Sequence, residues 1–145
     1  MVLGINNNFT FQLQRSFLDI TGRFIICDIK TNEKLITLAT IYAPNEDDPG
    51  FFERFHEHLR DFQCDDIVIG GDLNLVLDID IDKKGGLAKM HTKAVKAIKD
   101  HMAELDLVDV WRLLNPDGRR YTWRLQKPEI HCRLDFFSRK SEPYV

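Results

Sequence analysis

Cysteine is sparse in this sequence, and long apolar runs are missing. Its three cysteines, Cys27, Cys64 and Cys132, are far apart, odd in number and include no Cys-x-x-Cys pair. That pattern speaks against a disulfide scaffold and a zinc ribbon, and it leaves reduced, mostly buried thiols of an intracellular protein, nuclear if the source is eukaryotic, as the expectation. The opening Met1-Val2-Leu3-Gly4-Ile5 runs into three asparagines. There is neither a charged leader nor an apolar stretch long enough for a signal peptide or a bilayer span, so a soluble chain with no membrane partner is expected. No repeat, low-complexity tract or internal linker appears. A large excess of positive charge is lacking too, since the net charge is −3. Tight, nonspecific nucleic-acid binding is therefore not expected.

With 145 residues and 43% hydrophobic composition, the chain is the size of one domain and can bury a sizeable core. Its charge is unevenly spread. From Arg112 onward there are eight Lys or Arg against four Asp or Glu, a balance of +4, so residues 1–111 carry −7. The basic end would favour a phosphate backbone, although a solvated mixed-charge surface explains the same arginines.

Three β-like stretches come first. Phe9 to Gln14 alternates apolar with polar, and Arg23 to Ile29 and Leu35 to Tyr42 flank a polar turn, which predicts a meander with one antiparallel hairpin. Tyr42 closes the third run before Ala43-Pro44-Asn45, and a tyrosine there is expected to pack half-buried, with a hydroxyl that faces a cleft as the alternative. From Gly50 to Phe62 the period becomes helical, with Phe51, Phe52, Phe55, Leu59 and Phe62 on one face. His56 and His58 diverge by roughly 200° around that axis and cannot clasp one metal; both read as surface or boundary histidines.

Asp66-Ile67-Val68-Ile69-Gly70-Gly71 then describes a buried strand that stops abruptly, completing a β-α-β passage of a layered α/β fold. Asp72 and Asn74 follow. Alternation points side chains two apart to the same side, so a carboxylate and a carboxamide project together from the strand's C-terminal end, where open α/β sheets place ligands. The carboxylate can bind a hard cation or take a proton from water, and the amide can hold a phosphoryl oxygen without adding negative charge. The competing explanation is local: Asp72 caps a turn and Asn74 bonds to nearby backbone.

Asp78, Asp80 and Asp82 alternate like a calcium loop, but Lys83 and Lys89 occupy the places of its glycine and glutamate, so a mobile loop flanking the cleft is expected. Thr92 to Leu105 reads as a second helix capped by Thr92, and His91 and His101 form no metal pattern with it. Asp106 to Gly118 is an apolar segment expected to wedge a short helix or turn under the sheet edge. Two β-like runs close the chain, Arg120 to Leu125 and Cys132 to Ser138. Asp135 interrupts the second, either as an ion pair with Arg133 or another strand's polar group, or as a site residue.

In order, Ile41-Tyr42-Ala43-Pro44-Asn45, Gly71-Asp72-Leu73-Asn74, Asp106-Leu107-Val108-Asp109 with Tyr121-Thr122-Trp123, and Arg133-Leu134-Asp135-Phe136-Phe137 resemble the motifs of the endonuclease/exonuclease/phosphatase (DNase I-like) superfamily. Within it, the set is most similar to the apurinic-like endonuclease domains of LINE-type non-LTR retrotransposons. The resemblance implies an α/β two-sheet sandwich with flanking helices, magnesium as cofactor, DNA as partner and phosphodiester hydrolysis (nicking) as activity. It makes Asp72 the residue that positions or deprotonates water and Asn74 the one that holds the scissile phosphate or contacts the ion, with both as metal contacts. Tyr42 would donate to a phosphate oxygen, Asp135 would orient a catalytic histidine, and Thr122, with Arg120 and Arg124, would meet the DNA.

The chain also departs from that pattern. An asparagine on the first strand, a metal-binding glutamate in a Gln-Glu motif and a closing Ser-Asp-His are not matched; Glu33, Glu46 and Glu53 lie outside any such motif. Residues 1–145 are therefore expected to be a partial domain of a retrotransposon polyprotein. Its activity would be lost or reduced to traces, since acid-base help alone is worth roughly two to four orders of magnitude. A noncatalytic remnant or binding module is the alternative. A small-molecule phosphatase of the same superfamily is disfavoured by Tyr121-Thr122-Trp123 and Arg133-Leu134-Asp135.

Overall fold

The computed structural model describes residues 1–32, 34–62, 66–87 and 91–140. Nine strands and four helices follow one another among them. Strands β1 (Gln12–Leu18), β2 (Phe24–Lys30) and β3 (Leu35–Tyr42) lead to helix α1 (Pro49–Arg60) and strand β4 (Asp66–Asp72). Helix α2 (Ile79–Asp82), strand β5 (Lys83–Lys84), helix α3 (Thr92–Glu104), strand β6 (Leu107–Asp109) and helix α4 (Val110–Leu114) come next. Strands β7 (Trp123–Gln126), β8 (Glu129–Cys132) and β9 (Asp135–Lys140) complete the order.

These strands form two sheets, one ordered β1-β2-β3-β4-β9-β6 and the other β5-β8-β7. The expected hairpin is β2 with β3, paired antiparallel from Phe24 opposite Ile41 to Lys30 opposite Leu35. The β-α-β passage is β3-α1-β4, whose strands run parallel. The helices cover one face of the large sheet: Phe52, Phe55 and Leu59 of α1 and Ile98 and Met102 of α3 meet Ile41, Ile69 and Phe136. Burying such aromatic and aliphatic side chains contributes about 1.5 to 3 kcal/mol each.

Several local expectations are corrected by packing. The first strand begins at Gln12 rather than Phe9, because its ladder partners run from Lys30 to Ile25, while Phe9 and Phe11 stack on each other before it. Residues 78–84 are not an extended mobile loop: Asp78 caps the single turn of α2, and Asp82 is 1% exposed. Thr92 does not cap α3. Asp47, from the loop before α1, accepts from the amide of Ala94 at 2.8 Å and supplies that cap across the fold. After Asp106 the expected short helix is α4, but Leu107–Asp109 is itself a strand, β6, that forms one edge of the large sheet. Strand β8, between the two β-like runs of the C-terminal third, is an addition to the sequence reading. Cys27 and Cys132 are buried as expected, whereas Cys64 lies outside the described residues.

Candidate active site

Strand register builds the site. Tyr42 of β3 stands opposite Asp72 of β4, and Asp72 stands opposite Asp135 of β9. Cross-strand neighbours share a face. One tyrosine and two carboxylates are thereby set in a single row at the C-terminal ends of β3 and β4, the end at which the sequence placed a ligand. The exit from β4 depends on Gly71, whose φ is +148° and where a Cβ would collide with the carbonyl of Ile41. Beyond it, the amide of Ala43 donates to the carbonyl of Asp72 at 2.9 Å and that of Leu73 to the carbonyl of Leu134 at 2.9 Å, so both flanking chains fix the end of β4.

Tyr42 is 51% exposed, so its ring is only half covered. Its neighbour Arg23 explains this: the guanidinium lies 5.6 Å from the ring centroid and donates to the Tyr42 carbonyl at 3.3 Å. The ring lies beside that cation. Asp135 is exposed and makes no pair with Arg133, whose side chain turns to Asp82 and Asp109 instead. Burial raises the pKa of Asp72 and the facing Asp135 raises it further, against the lowering effect of the Asn74 amide. A carboxyl shifted in that direction holds a proton more readily, as a general base requires.

Asn74 adopts φ +49°, a conformation asparagine tolerates well. Its amide donates to Asp72 Oδ1 at 2.8 Å, and its Nδ2 donates to the carbonyl of Ala43 at 2.7 Å. The local roles weighed from sequence are thus present. They also organise the site: the Asx turn holds the Asp72 carboxylate, and with Nδ2 engaged, Asn74 offers its Oδ1 acceptor.

Thr122 is tied to the same row. Its Oγ1 accepts from the amides of Leu134 at 3.0 Å and Asp135 at 3.3 Å, leaving its hydroxyl proton to donate elsewhere. Arg120 and Arg124 are exposed beside it, Arg124 within β7 opposite His131. A cleft of about 320 Å³ adjoins Asn74, bounded by Lys83, Trp123, Cys132 and Leu134.

Two groups of charged or titratable residues were missed from sequence. His56 is 3% exposed and stacks on His101, with ring centroids 4.0 Å apart and planes 6° from parallel. Its Nε2 is 3.0 Å from Glu104. The boundary reading fails because α3 packs over that side of α1, a contact that helical period alone does not reveal. The other group is Asp82, Asp109, Arg112 and Arg133. The sequence showed its members separately, Asp82 in an alternating aspartate run, Asp109 in a motif and Arg133 beside Asp135, but gave no sign that they meet.

As a test of fit for a divalent cation, Asp72, Asp135 and the Asn74 amide oxygen offer only oxygen donors, the kind that hard cations take together with water and phosphate. Among the described residues there is no group of three or more His, Cys, Asp or Glu able to enclose an ion. The set fits a partly hydrated ion and not a closed protein cage.

This is the endonuclease/exonuclease/phosphatase (DNase I-like) fold. The TM-score is 0.64 to the AP endonuclease LMAP from Leishmania major at 18% identity, covering 83% of this chain and 46% of that one. It is 0.61 to the endonuclease domain of TRAS1, a telomere-specific non-LTR retrotransposon, at 18% identity, with 89% and 56% covered. For a Neisseria 3′ phosphatase, NExo, bound to product DNA hairpin, it is 0.65 at 18% identity, with 90% and 59% covered. In sequence, the chain is 27% identical over 107 residues to the transposon TX1 uncharacterized 149 kDa protein of Xenopus laevis, matching 72% of this chain and 8% of that protein. The chain thus spans about half the length of these structures and a small part of the transposon protein. No family model matches it.

Proposed function

We propose that the chain contributes the hydrolytic centre of a DNA endonuclease of retrotransposon origin, acting on phosphodiesters with magnesium. The observation that carries this reading is the Tyr42, Asp72, Asp135 row, with Asn74 behind it and Thr122 beside it. Its support from outside the chain is a fold found in AP endonucleases and in a retrotransposon endonuclease domain, together with the transposon protein that matches in sequence.

In this reading Asp72 orients water and accepts its proton, aided by the burial and like charge that raise its pKa. The Tyr42 hydroxyl donates to a phosphoryl oxygen as negative charge develops. Asn74 holds Asp72 in place through its backbone amide. Thr122 keeps the start of β9 beside the row and can donate its proton to a phosphate. Magnesium, held by Asp72 and the Asn74 amide oxygen with Asp135 nearby, would supply charge neutralisation at the phosphate.

A second reading, a scaffold that binds without cutting, is favoured by the hydrogen bonds that already engage Asp72 and Asn74. Magnesium-dependent nicking of supercoiled plasmid separates the two. Wild-type cutting that disappears in Asp72→Asn and with a chelator supports hydrolysis. Folded wild type that matches both controls removes the hydrolytic claim and leaves the scaffold.

A further inference from the structure

Arg133 lies at the bend between β8 and β9 and is 3% exposed. Its Nε and Nη2 meet the two oxygens of Asp82 at 2.8 and 3.1 Å. Nη2 also reaches Asp109 Oδ2 at 2.6 Å. The guanidinium is 4.2 Å from the Phe136 ring centroid and 5.1 Å from that of Trp111. Arg112 adds a second cation, 2.5 Å from Asp82 Oδ1. Burial opposes the charge on Arg133, but the hydrogen bonds to Asp82 and Asp109 outweigh it and keep the guanidinium ionised.

The partners stand at different sheets. Asp82 directly precedes β5, whose Lys83 pairs with Cys132 of β8, and its carbonyl accepts the Arg133 amide at 2.9 Å. Asp109 ends β6 and stands opposite Ser138 of β9 in the large sheet. Buried ion networks bring little net stability compared with apolar packing of equal volume, so their clearest physical effect is fixed geometry. A planar fork engaging two carboxylates cannot shift without breaking several bonds at once.

We propose that Arg133 is a positioning residue, clamped between Asp82 and Asp109 so that the small sheet, with Thr122 and Trp123, is held against the large-sheet row of Tyr42, Asp72 and Asp135. This rests on the hydrolytic reading for its consequence, but the clamp itself does not. Arg133 touches no substrate in this account. It acts through Leu134 and Asp135, whose amides meet Thr122 Oγ1.

The test uses the whole chain. Amide hydrogen exchange is measured in wild type, Arg133→Lys, Arg133→Ala with and without millimolar guanidinium, and Asp109→Asn, the mildest break of the clamp. The proposal requires at least about tenfold loss of protection at Thr122, Leu134 and Asp135 in Arg133→Lys, with the β2-β3 ladder unchanged. It also requires that guanidinium, and not sodium, restores protection in Arg133→Ala. Should both Arg133 variants fail to fold, Asp109→Asn decides by the same local loss. Unchanged protection at those amides, uniform loss across both sheets, or no effect of guanidinium on a folded Arg133→Ala overturns it. Where wild type nicks plasmid, Arg133→Lys must lower turnover more than DNA affinity; equal losses also overturn the proposal. If wild type does not nick, the hydrolytic reading fails while exchange still decides the clamp.

Discussion

At Gly71 the chain leaves β4 with a backbone angle that L side chains rarely adopt and in a space the Ile41 carbonyl already fills. Gly71→Ala should therefore cost about 2 to 4 kcal/mol, read by urea denaturation, since strain and a backbone clash act together. An unchanged midpoint would show that β4 can end another way. Tyr42 makes the opposite case. Its ring is exposed, so Tyr42→Phe should change stability by less than about 0.5 kcal/mol. On the hydrolytic reading, loss of its hydroxyl should slow nicking by about a hundredfold with DNA affinity little altered. The Gly-Asp-x-Asn spacing was enough to place Asp72 and Asn74 at a strand end. It was silent about which way Tyr42 faces, because that follows from Arg23 on a neighbouring strand.

Helix α3 shows how an element can be visible in sequence while its anchors are not. Its apolar period was legible, but its cap comes from Asp47, 47 positions before the Ala94 amide it accepts. Asp47→Ala should cost about 1 kcal/mol, measured by thermal unfolding, and should fray the first turn of α3 rather than α1. The same helix carries His101, whose pKa is lowered by burial, then by His56 and Arg60, with Glu104 and Asp100 opposing. Because the folded value lies below the unfolded one, the unfolded chain takes up more protons as pH falls through the histidine range. Stability is fully present above the ordinary value of 6.5 and is lost below it. His101→Gln should flatten that acid-side loss in denaturation curves taken across the range; an identical slope would assign the loss to other groups. Strand β8 stayed hidden for a related reason. Glu129 to Cys132 alternates polar with apolar over only four residues, too short a run to stand out, and becomes a strand because β5 and β7 pair with it on both sides.

Across the whole molecule the order of elements was legible because hydrophobic period, glycine and proline mark their ends, whereas the link between the two sheets was not. It depends on Asp82, Asp109 and Arg133, which stand 24 to 51 positions apart. Charge is divided along the sequence. Residues 1–111 are acidic, while exposed Arg120 and Arg124 lie in the basic part from Arg112 onward, which includes β7 and its approach. On the hydrolytic reading, a chain of overall negative charge should meet DNA through these arginines, so each lost phosphate contact would be a large share of its affinity. Arg124→Ala should weaken binding to unrelated duplexes alike, and the slope of log affinity against log salt should fall by about 0.9 per contact removed. Arg120→Ala should do the same, and the double variant should remove about twice the slope, since each arginine neutralises its own phosphate. Fluorescence anisotropy over a salt series measures this directly. Slopes equal to wild type would place the DNA path elsewhere and would separate the basic end of the sequence from the row formed by Tyr42, Asp72 and Asp135.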